Sequence, residues 1–308
     1  MAASIGTTTT AAKLLKNYWH NFFLDNLYQN TLWTGLTKST KVPAGSGKTV
    51  WWVGLNKVSP AGASLSEGAD PDSRSSNARR ISGVLAEYGN LIKDSRLFMD
   101  TSIEGTRAAI LKDLAQDAAL QMDNLLLTKA LAGGTAIYQG GALHRSSIVS
   151  ASTATIRDIR RAVNLLEKSS VPRWSDGFYV GFVHPDVAFD LQSDSAWTDI
   201  VKYRDTVKYD IPGEIGRLWG VRFVSAPNIS LLVNSGSANV DIYRTLIFGP
   251  EFLGQSELGA LEIVINEPGK TSELNMFNTY GYRFVMATEV LSNSRAVRLE
   301  SSASLGTD

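Results

Sequence analysis

The sequence predicts an α+β protein, and three observations carry that expectation. One helical pattern continues without interruption from Thr101 to Ala132. Two short β-like runs in the first third are separated by a long polar, turn-rich segment. Through the second half, helical and strand patterns alternate.

The elements follow in chain order. Met1 to Thr10 is an uncharged polar stretch, without the basic start and apolar block of a secretory signal. From about Ala11 to Asn30, Leu14, Leu15, Tyr18, Trp19, Phe22 and Phe23 recur every three to four residues, which predicts a helix with one strongly aromatic face. Val50 to Val53 and Ile81 to Ile92 read as strands. Between them, Ser59 to Asn77 is rich in Gly, Ser, Pro and Asp and has almost nothing to bury. The pair predicts an extended hairpin arm with a long exposed tip, and loops of that length in compact domains are usually functional or disordered.

Thr101 and Glu104 have capping-box spacing, and Gly133-Gly134 stops the long helix. Ile110, Leu111, Leu114, Ala118, Met122, Leu125 and Leu126 make its apolar stripe, while Lys112, Asp113, Gln116, Asp117, Asp123 and Asn124 fall off it. About 30 residues at 1.5 Å rise make a rod of roughly 45 Å, a girder rather than the wall of a pocket. After a Gly-rich connector (Gly133 to Gly141), Thr155 and Asp158 open a second helix with Ile156, Ile159, Val163 and Leu166 inward, and Pro172 closes it. Phe178 to Val183 reads as a strand and His184-Pro185-Asp186 as the start of a short helix. Gly220 to Val224, Ile242 to Phe248, Leu261 to Ile265, Tyr280 to Leu291 and Ala296 to Leu299 read as further strands, the last two able to return to the long helix.

Composition removes several classes of chemistry. Thirty Lys plus Arg balance thirty Asp plus Glu, so no net charge draws the chain onto nucleic acid. That argues against a DNA-coating protein but not a DNA container, since a strongly basic lining would resist release of its contents. The sequence has no Cys, which excludes disulfides, thiolate nucleophiles and Cys-ligated metals. No stretch reaches the roughly 18–20 apolar residues of a membrane span.

Few residues are candidates for catalysis. Ala44-Gly45-Ser46-Gly47-Lys48-Thr49 resembles the end of a phosphate-binding loop, but Val42 stands where the first Gly belongs and a β-like run follows instead of a helix. A hairpin turn with Gly45 and Gly47 at positive φ accounts for it. His20, His144 and His184 are far apart and have no HxH or HExxH partner, so a His-based metal site is not expected. His184 sits where its ring can cap the turn before Pro185. Arg79-Arg80 and Arg160-Arg161 lack interleaved aromatics and read as solvated faces or intersubunit ion pairs rather than base readers. The expectation is no catalytic residue, no cofactor and no metal.

A family likeness attaches to particular residues. Tyr179-Val180-Gly181-Phe182-Val183-His184-Pro185-Asp186, continued by Phe189-Asp190-Leu191 and Trp197, resembles the central signature of the N-four-like coat proteins of tailed bacteriophages. Gly213-Glu214-Ile215-Gly216 and Gly220-Val221-Arg222-Phe223-Val224 are similar to a second pattern of that family. The resemblance implies a major capsid protein with the Hong-Kong-ninety-seven-type fold. It implies an N-terminal arm (1–36), an extended hairpin loop (37–93), a peripheral domain on a long spine helix (94–147 and 268–308) and an axial domain (148–267). It also implies pentamers and hexamers of the chain itself in a shell around double-stranded DNA, held without sequence-specific binding. Separate scaffolding, portal and decoration proteins would be further partners, with assembly in the host cytoplasm and residence in the virion.

Two departures qualify the likeness. Some relatives cross-link through a Lys on the extended loop, and here no Lys lies between Lys57 and Lys93, so no such bond is expected. No helical scaffolding segment precedes the arm, so the expectation is a separate scaffold or a processed chain. Two other readings compete: a bacterial nanocompartment shell, told apart by its cargo, and an α/β enzyme with a long active-site hairpin, told apart by a pocket of convergent polar groups.

Overall fold

The computed structural model describes residues 32–33, 35–43, 45, 47–55, 77–101, 106–195, 197, 213–259, 261–266 and 276–306. The aromatic helix expected from Ala11 to Asn30 and the hairpin tip from 56 to 76 lie outside the described residues.

In chain order the strands begin with β1 (Lys38–Val42), β2 (Thr49–Leu55), β3 (Ala78–Val84) and β4 (Ala86–Ser95). Helices α1 (Arg96–Thr101) and α2 (Thr106–Ala132) follow, then β5 (Thr135–Tyr138), α3 (Ile156–Lys168), β6 (Tyr179–Val183) and α4 (Pro185–Ser193). The remaining strands are β7 (Glu214–Leu218), β8 (Val221–Ser225), β9 (Tyr243–Phe248), β10 (Leu253–Leu258), β11 (Glu262–Asn266), β12 (Phe277–Val290) and β13 (Ala296–Ser301). No described helix is long and apolar enough to cross a membrane.

They form three sheets. A six-stranded sheet has the order β5-β13-β9-β6-β8-β7. A five-stranded sheet is organised on β12, whose fourteen residues pair with β4 on one side and with β10 and β11 on the other, β1 adding in parallel to β10. β2 and β3 make an antiparallel ribbon, in register from Thr49↔Val84 to Leu55↔Ala78. The predicted hairpin is therefore present as far as its described base.

Its second strand differs from expectation. Ile81 to Ile92 is not one strand: Leu85 breaks it, β3 staying in the ribbon and β4 joining β12. The two closing strands also part company. β12 lies against the long helix, whereas β13 enters the six-stranded sheet between β5 and β9.

The long helix links both sheets. Leu111, Leu114, Ala115, Ala118 and Ala119 from its first half pack on Tyr280, Tyr282, Phe284 and Met286 of β12. Leu126, Leu127, Ala130 and Leu131 from its second half pack instead on Val180, Phe182, Leu246 and Phe248 of the six-stranded sheet. At 27 residues it is about 40 Å long. Its described part begins at Thr106; Thr101, the last described residue of α1, donates its hydroxyl to Leu97 O at 2.7 Å. Glu104 lies outside the described residues.

Helices α3 and α4 cover the other face of the six-stranded sheet, with Ile159, Leu166, Val187 and Leu191 against Val183, Phe223, Ile247 and Leu299. Thr155 precedes α3 as expected, but its hydroxyl bonds the Asp158 carboxylate at 2.6 Å rather than a backbone N–H. The helix ends at Lys168 through a Schellman turn, the Val171 N–H reaching Leu166 O at 3.1 Å across Ser170 at φ +51°. Pro172 therefore follows the stop rather than making it.

Candidate functional site

Among the described residues, those weighed for catalysis do not converge. Gly45 and Gly47 adopt positive φ (+88° and +83°), as the turn reading requires. The turn is not a hairpin, however: it joins β1 in the five-stranded sheet to β2 in the ribbon, two strands that pair elsewhere. His184 caps α4, its Nδ1 accepting the Asp186 N–H at 3.3 Å, and the ring stands edge-on to Tyr243 at 5.1 Å. The Tyr243 hydroxyl donates to the Asp186 carboxylate at 2.8 Å; burial and that neighbouring charge push the phenol up. His144 is exposed ahead of the single turn Arg145–Ser147, and His20 lies outside the described residues. Among the described residues no group of three or more His, Asp or Glu is placed to hold a metal ion.

The basic pairs have partners that their sequence neighbourhood hides. Arg79 donates to Leu291 O, and Arg80 lies over the Trp51 ring with its guanidinium 3.3 Å from the centroid. Arg160 lies over Trp219 at 4.3 Å, and Arg161 donates to Tyr138 O at 3.3 Å. The aromatics come from a paired strand in one case and from the β7–β8 turn in the other.

Three exposed surfaces stand out among the described residues. The first is the ribbon β2–β3. Trp52 docks on the outer face of the five-stranded sheet with Val50, Leu85, Ala287 and Leu291. Two glycines make its seat: a Cβ on Gly83 would stand 2.7 Å from the indole, and one on Gly254 would stand 3.0 Å from it. The ribbon is thus anchored at its base, with Trp51 and Val53 on its exposed side.

The second surface is the rest of that outer face. Beyond the ribbon, Glu87, Gly89, Leu91, Val264, Gly281 and Arg283 line an open depression of about 390 Å³. Its floor is low because Gly89 and Gly281 lie against the backbone of the paired strand; a Cβ on Gly89 would meet Tyr282 O at 2.5 Å. Leu91 is 62% exposed there. Arg283, between Glu87 and Glu262, carries the charge of the rim.

The third is the outer side of α3. Arg157, Arg160, Arg161 and Lys168 project from it, and with Arg173 and Trp219 they line a groove of about 850 Å³.

Two buried polar joints, both missed in the sequence, tie distant segments of the chain together. Asp123, expected on the polar side of the long helix, is 1% exposed and accepts the Leu32 N–H at 2.8 Å. Burial pushes its carboxyl up to about 6, against the opposing pull of the Leu32 and Trp33 backbone N–H groups. The same turn seats Trp33, which stacks on Phe248 at 5.3 Å and meets Phe182 edge-on at 4.9 Å. At the other joint, Glu300 is fully buried and receives Arg145 through two bonds, at 2.6 and 2.7 Å, and Arg298 at 3.0 Å. Arg298 also donates to Leu131 O, satisfying a carbonyl in the last turn of α2. Arg244 joins the cluster; burial pulls its guanidinium down, and Arg298 and Arg145 pull it further.

No protein-family model and no curated protein matches the sequence. Solved structures do match the fold. The capsid of Ralstonia phage GP4 superposes with a TM-score of 0.70 at 14% identity over 87% of each chain. The capsid asymmetric unit of cyanophage Pam1 gives 0.71 at 13% identity over 92% of this chain and 93% of that one. The head structure of Helicobacter pylori bacteriophage KHP40 gives 0.63 at 11% identity over 89% and 91%. The chain has the Hong-Kong-ninety-seven-type fold of tailed-phage capsid proteins, as its signature residues implied.

Proposed function

We propose that this chain is the major capsid protein of a tailed bacteriophage, a structural subunit whose copies form pentamers and hexamers in an icosahedral head. The observation that carries the reading is a likeness to phage capsid chains that extends over about nine-tenths of both partners, not over one shared sheet. A subunit of that kind works by presenting surfaces to its neighbours. The ribbon, the open sheet face and the basic groove are three such surfaces, and no constellation of catalytic groups competes with them among the described residues.

The signature around β6, α4 and β8 supports the finer placement among N-four-like coat proteins. On this reading residues 1–36 are the arm and 37–93 the extended loop, although β4 is shared with the peripheral sheet. The axial domain takes in 148–267, and the pairing of β13 with β9 argues for moving Ala296 onward from the peripheral domain into it. The shell encloses double-stranded DNA and belongs to the virion, after assembly in the bacterial cytoplasm with separate scaffolding and portal proteins. Its loops act without a covalent lock, since the sequence from 58 to 92 has no Lys.

Expression of the chain, followed by negative-stain microscopy and sedimentation, tests the reading. Closed shells or capsomer rings are expected. A chain that stays monomeric at high concentration, alone and with its scaffold, would overturn it, and shells filled with an enzyme instead of DNA would point to a nanocompartment.

A further inference from the structure

On one layer of the molecule, two helices carry opposite charge. The exposed side of α3 and the loop after it presents Arg157, Arg160, Arg161, Lys168 and Arg173. Glu167 is the one carboxylate lining that groove among the described residues, and Arg173 already holds it at 2.6 Å. Trp219, 47% exposed, forms one wall with Arg160 over its ring. Trp219 is fixed there by the tight β7–β8 turn, in which it and Gly220 both take positive φ (+48° and +79°), as a two-residue type I′ hairpin requires. A half-exposed Trp among arginines, on a rigid turn, has the composition of an interface anchor.

Helix α4, against the same face of the same sheet, has the complementary character. Asp186, Asp190 and Asp194 follow one another at four-residue spacing and so share one side of it. Asp241 lies close by, since Asp186, Asp241 and Asp190 all act on the Tyr243 phenol. These acids are held in place rather than loose: Asp186 accepts the Tyr243 hydroxyl, and Asp190 accepts the Ser304 N–H at 3.0 Å. Within one chain, no ion pair joins Arg157, Arg160 or Lys168 to Asp186 or Asp190 among the described residues.

We propose that the basic groove of α3 and Trp219 is one half of a head-to-tail contact whose other half is the Asp186–Asp190–Asp194 side of α4 on a second copy of this chain. The inference rests on the shell reading and deepens it by naming the pair of faces that closes a ring. A heterologous contact needs two different complementary patches on each subunit, and repeated around an axis it closes. The basic outer side of α3 and the acidic side of α4 are two such patches. Such contacts steer encounter and fix register, which a ring of identical subunits requires.

Charge reversal tests the assignment. Arg157→Glu with Lys168→Glu reverses the basic side, and Asp190→Lys with Asp194→Lys reverses the acidic side. Each pair alone is expected to raise the protein concentration needed for shells on the order of tenfold or more, while circular dichroism and thermal melting of the subunit stay unchanged. All four substitutions in one chain are expected to restore most of the assembly, because the faces are again opposite in sign. Should the lysine pair fail to fold, Asp190→Asn with Asp194→Asn replaces it, with a severalfold rise expected.

Shells that form normally from both single-side variants would overturn the contact. So would normal shells from the basic-side variant that retain less DNA, which would turn the groove toward the cargo instead. Failure of the fourfold variant to recover, with every subunit folded, would show that the two faces are not each other's partners. Absence of shells from the unmodified chain would sink the capsid reading itself.

Discussion

The two large sheets solve the same problem differently. The six-stranded sheet is covered on both faces, by α3 and α4 on one side and by Trp33 and the end of α2 on the other. Its central strand β6 is accordingly buried at every residue. Among the described residues, the five-stranded sheet is covered by α2 on one face and only in part, by the ribbon, on the other. On β12, Tyr280, Tyr282, Phe284 and Met286 point inward, and Thr279, Gly281 and Arg283 alternate with them on the outer face. That face receives the ribbon at one end and is open at the other. One sheet is covered on both sides, whereas the other leaves part of one face open among the described residues.

Four measurements would break or sharpen this contrast. Phe248→Ala removes a fully buried ring that touches Trp33, Phe182, Trp174 and Phe252, and is expected to cost about 4 kcal/mol. Thermal or urea melting should show the whole subunit destabilised; a loss under 1 kcal/mol would mean the doubly covered sheet is not the stabilising centre.

Trp52→Ala removes the indole seated between Gly83 and Gly254, at a cost of about 3 kcal/mol. Here the loss should be local. Hydrogen exchange should quicken in Thr49–Leu55 and Ala78–Val84 while β6 and β9 keep their protection. Equal loss in both sheets would erase the distinction between them.

Asp123→Asn tests the joint between the leading segment and the long helix. With its folded-state pKa raised to about 6, Asp123 binds a proton more tightly in the folded chain than in the unfolded one. Its contribution to stability is therefore fully present below about pH 4 and lost as the pH rises through 6. The Asn variant still accepts the Leu32 N–H but carries no charge. It should flatten stability between pH 4 and 6 and gain about 3 kcal/mol at pH 7. Urea melts across that range read the difference, and a parallel shift of both proteins would refute it.

Leu91→Ser on the open face is the smallest effect, within about 0.5 kcal/mol in subunit melting because that side chain is mostly exposed. If the open face is a contact between copies, shell yield should fall while the melting curve does not. A melting change above 1 kcal/mol would mean the depression is part of the subunit's own core.

What the sequence disclosed follows from how local each signal is. The long helix announced itself through Leu111, Leu114, Ala118 and Leu126, because 3.6-residue periodicity is written in neighbours. The ribbon was visible in Val50 to Val53 and in the turn formers after it. The cap at His184 could be read from Pro185 alone. By contrast, β5 lay hidden in a Gly-rich connector, since Thr135–Tyr138 is a strand only by virtue of its parallel pairing with β13, some 160 residues on. The break at Leu85 was equally silent: Ile81 to Ile92 is uniformly β-like, and only its two different partners divide it. Asp123 deceived periodicity because the group that compensates its burial, the Leu32 N–H, arrives from 91 residues away. Arg80 and Arg160 found aromatic partners across a ribbon and beside a turn, where no linear spacing reports them.

Helix α2 has a consequence for how such a subunit could vary in shape. Because one rod walls both hydrophobic cores, and Arg298 ties its last turn to β13, the two sheets are coupled like the ends of a lever. A tilt of about 5° over about 40 Å carries one end roughly 3–4 Å, without breaking a single backbone hydrogen bond in the rod. A closed shell built from fivefold and sixfold rings asks one sequence to sit at two curvatures. A stiff beam pivoting between two packed ends would meet that demand by rotation rather than by remodelling.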